Sequence, residues 1–402
     1  MNVAIVGYGQ RASDLVPNVL TKLKDVNFVS VCDKYPDRAE KAKADLEKYG
    51  FSPKAFTDYR EALSVSGLDA VLVLSSWDNH CEVALYAMEK GIAVGSEVGC
   101  EYSLENCFEL VRTHERTKTP YMFMENCCFG EEELLATSLV RRGMLGSIVS
   151  CSGAYGHDLR HEIAYGHKNR HYRFDNYKTR CLENYPTHEL GPISRLLNIN
   201  RGNRIVSVMS VASKAAGLKE YIASRPDADE DMKSTEFMQG DIVETLIKCA
   251  NGELIRLTLD TTLPRSYSRA FTVRGTKGAY FMDTDSFFFD GDKEFWLPTD
   301  FAKEYMGNAK KYEALRPEIW RNVTQEDREH GHGGMDLFCY GAFIDALKNN
   351  KPMPIDVYDG AVWQAVSVLS EQSILKNSVE IMPDFTHGAY LTRKSEDVVP
   401  LF

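Results

Sequence analysis

The chain has 402 residues, 44% hydrophobic and 26% charged, which is the composition of an ordinary globular protein. Its formal net charge of -11 argues against a nucleic-acid binder, because such proteins carry a basic surface. No apolar run approaches the roughly 20 residues that a membrane-spanning helix needs. A strand begins at residue 2 with no signal-peptide pattern ahead of it, and the ten cysteines form no C-x-x-C pair. We therefore expect a cytoplasmic protein without disulfides.

A glycine-rich turn follows the first apolar run. In VAIVGYGQRAS, Gly7, Gly9 and Ala12 form the G-x-G-x-x-G/A pattern between a strand and a helix. Gly7 permits the tight turn, Gly9 lets a pyrophosphate approach the backbone, and Ala12 permits close packing of helix on strand. The intervening Gln10 and Arg11 open the helix, whose N-terminus would face the phosphates. The pattern predicts a dinucleotide site.

An acidic residue ends the second predicted strand. Asp33 lies 21 residues after Ala12, at the end of VNFVSVCD. A carboxylate at this point accepts hydrogen bonds from a ribose 2′-hydroxyl and repels a 2′-phosphate, so NAD is favoured over NADP. Lys34 and Arg38 follow it closely and leave NADP open as an alternative.

Strands and helices continue to alternate as far as PYMFME at residues 120 to 125, which predicts a doubly wound parallel sheet. The ligand of such a sheet lies across the carboxyl ends of its strands. Trp77 is as consistent with a core aromatic as with a cofactor contact. The predicted cofactor-binding residues are Gly7, Gly9, Gln10, Arg11, Ala12, Asp33, Ser75, Trp77, His80, Glu97, Val98, Glu125 and Asn126.

The pattern changes near residue 127. Longer β-rich runs at hairpin spacing follow, and two helices with 3.6-residue apolar periodicity end the chain. Residues 224 to 236 are polar and predict a surface loop. We expect an NAD-binding Rossmann domain over 1–126 and an α+β domain over 127–402. The second domain should have a mainly antiparallel, open-faced sheet that serves substrate binding and homo-oligomerisation as a dimer or tetramer.

Several motifs resemble those of a known family. The glycine pattern, Asp33, SSWDNH at 75–80 and Glu97 together resemble the glucose-fructose oxidoreductase/inositol dehydrogenase/MocA family. ENCCFG, GAYGHDLR, NYPTHELGP and GHGGMD, in this order, resemble the NAD-dependent glycosidases of glycoside hydrolase family 109, typified by α-N-acetylgalactosaminidase. The resemblance covers nearly the whole chain.

The chain departs from the resembling families at three positions. The wider family's dehydrogenases carry Glu-Lys-Pro where this chain has Glu97, Val98 and Gly99, and their lysine assists hydride transfer. Its absence disfavours a plain dehydrogenase that depends on that lysine. Within the glycosidases, the resemblance predicts proline in place of Gly99 and glycine in place of Glu189.

The resemblance implies a glycoside hydrolase that uses NAD for transient oxidation of the sugar at C3. The resulting ketone acidifies the C2 proton, which a base removes. The aglycone then leaves from C1 by elimination, water adds at C1, and C3 is reduced again. Because the leaving group departs from an enolate, the paired carboxylates of ordinary glycosidases are unnecessary.

The resemblance also implies residue roles. His188 would accept the C3 hydroxyl proton and Tyr155 the C2 proton, with nearby positive charge needed to acidify the phenol. Sources of that charge near in sequence are Arg160, Arg173, His157 and His161. The implied substrate-binding residues are Tyr185, Arg173, His332, Asp336 and Arg160. A small carbohydrate is the expected partner, with neither nucleic acid nor membrane.

Other interpretations are open for each assignment. Tyr155 also suits the core of a strand, and Asp336 also suits the N-terminal turn of a helix. His157 with His161, or His330 with His332, suggest metal ligands, but no carboxylate or cysteine at zinc-like spacing accompanies them, so we expect no metal. The functional alternatives are an NAD-dependent sugar or polyol dehydrogenase, or 3-keto sugar reductase, and an NAD(H)-binding sensor.

Overall fold

A computed structural model describes residues 1–228, 230–294, 296–329 and 331–402. The chain divides into two compact units. The first contains Met1–Asn126 and Asn322–Ala361, and the second contains Cys127–Arg321 and Val362–Phe402. The sequence interpretation assigned all of 127–402 to one domain, whereas residues 322–361 return to the first unit.

Apolar packing explains why the later segment belongs to the first unit. A Cβ on Gly95 would lie 3.2 Å from Phe343 Cε1, so a helix of the returning segment packs directly on the parallel sheet. The backbone N–H of Phe123 also donates to the carbonyl of Ile355 at 3.1 Å. Phe343 and Ile355 are completely buried. The apolar periodicity near the end of the chain predicted this helix, but it could not show which sheet the helix covers.

The first unit begins with alternating strands and helices. Their bounds are β1 Asn2–Val6, α1 Gln10–Asn18, β2 Asn27–Cys32, α2 Pro36–Glu47, β3 Lys54–Phe56, α3 Tyr59–Ala62, β4 Ala70–Val73, α4 Trp77–Glu89, β5 Ala93–Ser96, α5 Leu104–Thr117 and β6 Tyr121–Phe123.

These strands form one parallel sheet. Among the described residues its order is β3-β2-β1-β4-β5-β6, with every pairing parallel. The central strands β1 and β4 are almost completely buried, as expected where helices cover both faces of a sheet. The predicted doubly wound fold is confirmed. The chain crosses from one half of the sheet to the other between β1 and β4, where ligands of such sheets bind.

The rest of the chain has mixed secondary structure. Its elements are α6 Glu131–Arg141, β7 Ile148–Gly156, α7 Arg160–Ala164, α8 Arg173–Thr179, α9 Thr187–Leu196, β8 Ile205–Ala212, α10 Gly217–Ala223, α11 Glu230–Ser234, β9 Ile242–Cys249, β10 Leu254–Asp260, β11 Thr272–Gly275, β12 Gly278–Phe281, β13 Ser286–Phe289, α12 Pro298–Glu304, α13 Glu318–Arg321, α14 Gln325–Glu329, α15 Met335–Lys348, α16 Val357–Lys376 and β14 Glu380–Ile381. The polar segment 224–236, predicted as a loop, contains the short helix α11.

The second unit is built on a mostly antiparallel sheet, which confirms the predicted fold class. In the described residues its order is β13-β12-β11-β7-β10-β9-β8-β14, and only β7 and β10 pair in parallel. Residues alternate between a buried face and a face with exposed apolar side chains. Met209, Val211, Leu246 and Leu254 are among the exposed ones.

Helix α9 packs on β7 at close range. A Cβ on Gly153 would lie 2.6 Å from Glu189 Cβ, so only glycine lets the two backbones approach this far. This contact places His188 of α9 beside Tyr155 of β7. Among the described residues, no helix combines the length and the hydropathy needed to cross a bilayer.

Candidate active site

The glycine-rich turn has the shape that a dinucleotide requires. Gly7 has a φ of +97°, and a Cβ there would lie 2.4 Å from the backbone nitrogen of Ser75. Gly9 is the N-cap of α1, and its Cβ would have no neighbour within 4 Å. Ala12 is fully buried against the sheet. Gly7 is therefore required by the fold, while Gly9 keeps open the space in which a pyrophosphate meets the helix N-terminus.

Asp33 is held at the end of β2 by two backbone amides. Its Oδ2 accepts from the N–H of Tyr8 at 2.8 Å, and its Oδ1 accepts from the N–H of Tyr35 at 2.9 Å. Lys34 Nζ and Arg38 Cζ lie 5.2 and 5.1 Å from the centre of the Tyr35 ring. The carboxylate is thus fixed beside the glycine turn, where it suits a ribose diol.

The segment after β4 supplies unpaired polar atoms at the same sheet edge. Ser75 Oγ is buried with no hydrogen-bond partner among the described residues. His80 Nε2–H donates to the Ser75 carbonyl at 2.8 Å, and burial lowers the pKa of this histidine. Trp77 is almost completely buried at the start of α4. A Cβ on Gly99 would lie 2.7 Å from Trp77 Cδ1, which explains why glycine stands where the resemblance predicts proline.

Five predicted site residues form one polar network in the first unit. The guanidinium of Arg11 contacts the carboxylates of Glu97 and Asp336, and Asp336 also contacts His332 and Asn126. Cofactor roles had been predicted for Arg11, Glu97 and Asn126, and substrate roles for His332 and Asp336. In the structure, the residues predicted to bind the cofactor and those predicted to bind the substrate contact one another in this network.

Two further predicted cofactor residues lie in this part of the unit. Val98 is buried, and its N–H donates to Glu97 Oε2 at 3.2 Å. Glu125 is completely buried just after β6. The open space at Gly9, the orphaned Ser75 Oγ and the fixed Asp33 carboxylate fit a dinucleotide.

Three rings form the centre of the candidate site in the second unit. The Tyr155 and Tyr185 ring centres are 4.4 Å apart, and that of His188 lies 5.5 Å from Tyr155 and 4.8 Å from Tyr185. The His188 ring is nearly perpendicular to the Tyr185 ring, at 85°. All three side chains are mostly buried but retain a small exposed fraction. The opening stretch of α9 and the end of β7 thus present a phenol pair and an imidazole together.

A buried arginine supplies positive charge to these rings. Arg173 Cζ lies 5.4 Å from the centre of the Tyr185 ring, and its Nε lies 3.1 Å from Glu162 Oε1. Burial raises the pKa of Tyr155 to about 12, while the charge and hydrogen bond of Arg173 act in the opposite direction. The negative charge of the Glu162 carboxylate also raises the pKa of Tyr155.

His157 places a proton acceptor beside the Tyr155 hydroxyl. Its Nδ1 lies 3.3 Å from the Tyr155 oxygen. Burial and the charge of Arg173 lower the pKa of His157 and favour the neutral imidazole. The ring of Tyr267 in turn packs edge-on to His157 at 5.2 Å. His157 thus lies between the side chains of Tyr155 and Tyr267.

The other predicted charge sources lie elsewhere on the second unit. Arg160 pairs with Asp158 through two hydrogen bonds of 2.8 and 2.6 Å and covers the Tyr221 ring. His161 packs on Tyr165 at 4.7 Å. Of the two histidine pairs weighed as metal ligands, His330 lies outside the described residues. The cation that acts on Tyr155 is therefore Arg173.

Sequence patterns missed Glu162, Tyr267 and Tyr340. Glu162 and Tyr267 lie in segments without a motif, so only packing shows that they approach the site. Tyr340 donates to Glu97 Oε1 at 2.8 Å. It lies four residues after Asp336, on the same face of α15, and that spacing was a usable signal.

The first unit defines the general class of the protein. Residues 1–124 match the family described as "Oxidoreductase family, NAD-binding Rossmann fold". The chain superposes on a levoglucosan dehydrogenase, solved with NADH and levoglucosan, with a TM-score of 0.70 over 95% of this chain and 99% of the other. The identity is 18%, so this likeness concerns the fold alone. The protein is an enzyme with an NAD-binding Rossmann domain, and NAD is its cofactor.

A second family match, over the later part of the chain, makes the assignment more specific. Residues 129–392 match "Glycosyl hydrolase 109, C-terminal domain". A "Glycosyl hydrolase family 109 protein" of Stenotrophomonas maltophilia (strain K279a) is 35% identical, over 98% of this chain and 91% of that one. An "Alpha-N-acetylgalactosaminidase" of Tannerella forsythia is 32% identical, over 98% of this chain and 88% of that one. The chain belongs to glycosyl hydrolase family 109.

Proposed function

We propose that this protein is an NAD-dependent glycoside hydrolase of the α-N-acetylgalactosaminidase type, acting by transient oxidation at C3, deprotonation at C2 and elimination at C1. The observation that carries the proposal is the cluster of Tyr155, Tyr185, His188 and Arg173 in the second unit. Family membership and the whole-chain relative of that activity support it. The residues proposed to hold NAD are those predicted from the first unit, with the backbone of Gly9 to Ala12 serving the phosphates.

NAD, when bound, supplies a reversible two-electron oxidation of the sugar at C3. His188 Nδ1 or Nε2 accepts the proton of the C3 hydroxyl, since a positioned imidazole is the most common general base in enzymes. Arg173 and Tyr185 bind and orient the sugar hydroxyls through the guanidinium N–H groups and the phenol. Water adds at C1 after the aglycone has left, and His188 returns its proton when C3 is reduced.

Tyr155 is proposed to remove the C2 proton. A phenol with a pKa near 12 is protonated at neutral pH, so Tyr155 needs help to act as a base. His157 provides it: the neutral imidazole accepts the Tyr155 proton at Nδ1 while the phenol oxygen receives the proton from C2. Arg173 stabilises the negative charge that develops on the phenol oxygen.

Arg160 stays a proposed substrate-binding residue, with Nε and Nη2 donating to Asp158. His332 and Asp336 were predicted as substrate-binding residues, and both contact the Arg11 guanidinium; we propose that they act through it. The dehydrogenase alternative is weaker, since Val98 stands where a hydride-assisting lysine would be expected.

The test is to incubate the enzyme and its retained cofactor with p-nitrophenyl α- and β-glycosides in deuterated water. We expect nitrophenol release, deuterium at C2 of the released sugar by mass spectrometry and proton NMR, and no net change in NADH. A stoichiometric change in NADH with an intact glycosidic bond would identify a dehydrogenase. Ligand binding without either reaction would identify a sensor.

We further propose a cytoplasmic homo-oligomer. The cysteine spacing supports a reducing compartment, since the ten cysteines of the sequence form no C-x-x-C pair. The exposed apolar side chains on the outer face of the second unit's sheet support self-association, because large apolar patches are rarely left in water. Light scattering coupled to size-exclusion chromatography should give a dimer or tetramer.

A further inference from the structure

Arg11 lies in the first turn of α1, two residues after Gly9, where a cation would be expected to meet phosphate. Its guanidinium is instead directed at two carboxylates. Nη1 and Nη2 donate to Asp336 Oδ2 and Oδ1 at 2.8 and 2.7 Å, a two-pronged pairing. Nε and Nη2 also donate to Glu97 Oε1 at 3.1 and 2.9 Å. Four of the five N–H donors of the side chain are thereby committed.

The remaining donor faces His332. Nη1 of Arg11 lies 2.9 Å from His332 Nδ1, which lies 2.8 Å from Asp336 Oδ2. With Nδ1 unprotonated the imidazole accepts from Arg11, and with Nδ1 protonated it donates to Asp336. In the first state all five donors of Arg11 are satisfied by protein atoms, and in the second four are.

The carboxylates that hold Arg11 are buried and supported by other donors. The Asp336 side chain is fully buried, and that of Glu97 is 8% exposed. Asn126 Nδ2 donates to Asp336 Oδ1 at 2.7 Å, and Tyr340 donates to Glu97. Burial would raise the pKa of Asp336, but hydrogen bonds from Arg11 and His332 outweigh it and hold that pKa well below its usual range. The carboxylate therefore stays charged at working pH.

The segment that carries Asp336 touches α1 at both ends. Arg11 is in the first turn, and Val19 is the C-cap of the same helix. A Cβ on Gly331 would lie 2.8 Å from Val19 Cγ2. Gly331, His332, Gly333 and Gly334 all have positive φ, which lets the chain turn tightly between this contact and Asp336. The segment thus contacts both the first turn and the C-terminal end of α1.

We propose that Arg11 is a positioning residue, which through Asp336 fastens the returning segment to the glycine-rich turn and thereby sets the affinity for NAD. The phosphates of a dinucleotide contact backbone N–H groups at a helix N-terminus. The Arg11 side chain fixes the backbone that presents those groups. Loss of Asp336 should therefore weaken NAD binding although Asp336 itself is fully buried.

The experiment is a double-mutant cycle on NAD affinity, measured by isothermal titration calorimetry with the purified full chain. Asp336→Asn and Arg11→Met should each weaken NAD binding about tenfold, within the range usual for coupled sites. The double variant should be no weaker than Arg11→Met alone, because both changes remove the same connection. Asp345→Asn is the matched control. Asp345 lies on the same helix, is about half exposed and pairs with Lys351, so NAD affinity should stay at the parent value.

The alternative hypothesis, that Arg11 binds phosphate directly, predicts a different result. If Arg11 binds phosphate directly, Asp336→Asn releases the guanidinium, NAD affinity stays within twofold of the parent or increases, and the proposal is wrong. If Arg11→Met does not fold, the same cycle is measured with Arg11→Lys in its place, together with Asp336→Asn. Hydrogen exchange of the α1 amides in the NAD-free protein gives an independent readout. It should accelerate in Asp336→Asn but not in Asp345→Asn, and equal exchange in both would also overturn the proposal.

Discussion

The two glycines of the nucleotide turn should respond differently to the same substitution. In Gly7→Ala the new Cβ would lie within 2.4 to 2.6 Å of the backbone of Leu74 and Ser75, at a φ of +97°. Positive φ costs an alanine about 1–2 kcal/mol, and overpacking against rigid atoms costs roughly 1–3 kcal/mol more. In Gly9→Ala the Cβ would meet nothing within 4 Å, and a φ of -80° suits alanine.

Gly7→Ala should therefore destabilise the first unit by roughly 2–5 kcal/mol, which lowers its Tm by about 5–15 °C. Gly9→Ala should keep the parent Tm without NAD and weaken NAD binding about tenfold or more, a change of about 1.4 kcal/mol. Differential scanning calorimetry with and without NAD, together with isothermal titration calorimetry, separates the two effects. Parent stability in Gly7→Ala, or parent NAD affinity in Gly9→Ala, would refute the steric reasoning.

Three further predictions concern the second unit. His188→Ala should abolish oxidation at C3, whereas Tyr155→Phe should retain hydride exchange at C3 and lose proton exchange at C2. Both exchanges can be followed by NMR in deuterated water. If Tyr155→Phe exchanges the C2 proton at the parent rate, Tyr155 is not the base. Glu162→Gln should lower the pKa of Tyr155, because the carboxylate raises it. The ¹³Cζ resonance of labelled tyrosine, assigned with Tyr155→Phe, reports that shift even if no glycoside is cleaved, and an unchanged titration would contradict it. Burial raises the pKa of Glu183 from 4.5 to about 8, so the folded state holds a proton that the unfolded chain releases, and the free energy of unfolding should fall from pH 4.5 to 8. Glu183→Gln should flatten that fall in urea titrations at several pH values, and a slope equal to that of the parent would count against a neutral buried carboxyl.

The candidate site was partly visible in the sequence. The motif NYPTHELGP placed Tyr185 and His188 one turn apart, and the structure brings their rings to 4.8 Å. Tyr155 came from a separate motif, and its ring lies 4.4 Å from Tyr185. Glu162 had no signal, because its relevance comes from an ion pair with Arg173, and such pairing depends on how α7 and α8 are arranged.

Features that depend only on neighbouring residues could be predicted without the structure. A glycine with positive φ at a strand end, an N-cap with open space, and a carboxylate at the end of the next strand can be read from spacing, as Gly7, Gly9 and Asp33 show. The alternation of apolar strands and helices likewise predicted the parallel sheet, since burial on both faces demands continuous apolar runs.

The contacts between distant segments depend on packing, which the sequence patterns could not predict. Residues 322–361 belong to the first unit because their apolar helix face covers the parallel sheet, and periodicity says that a face is buried but not against what. Arg11 and Asp336 were predicted for different ligands, yet they bind each other across 325 positions. Local sequence can place a charge at the end of a helix. The partner of that charge is fixed by the packing that removes both from water, because a buried charge is stable only where an opposite charge and hydrogen bonds compensate it.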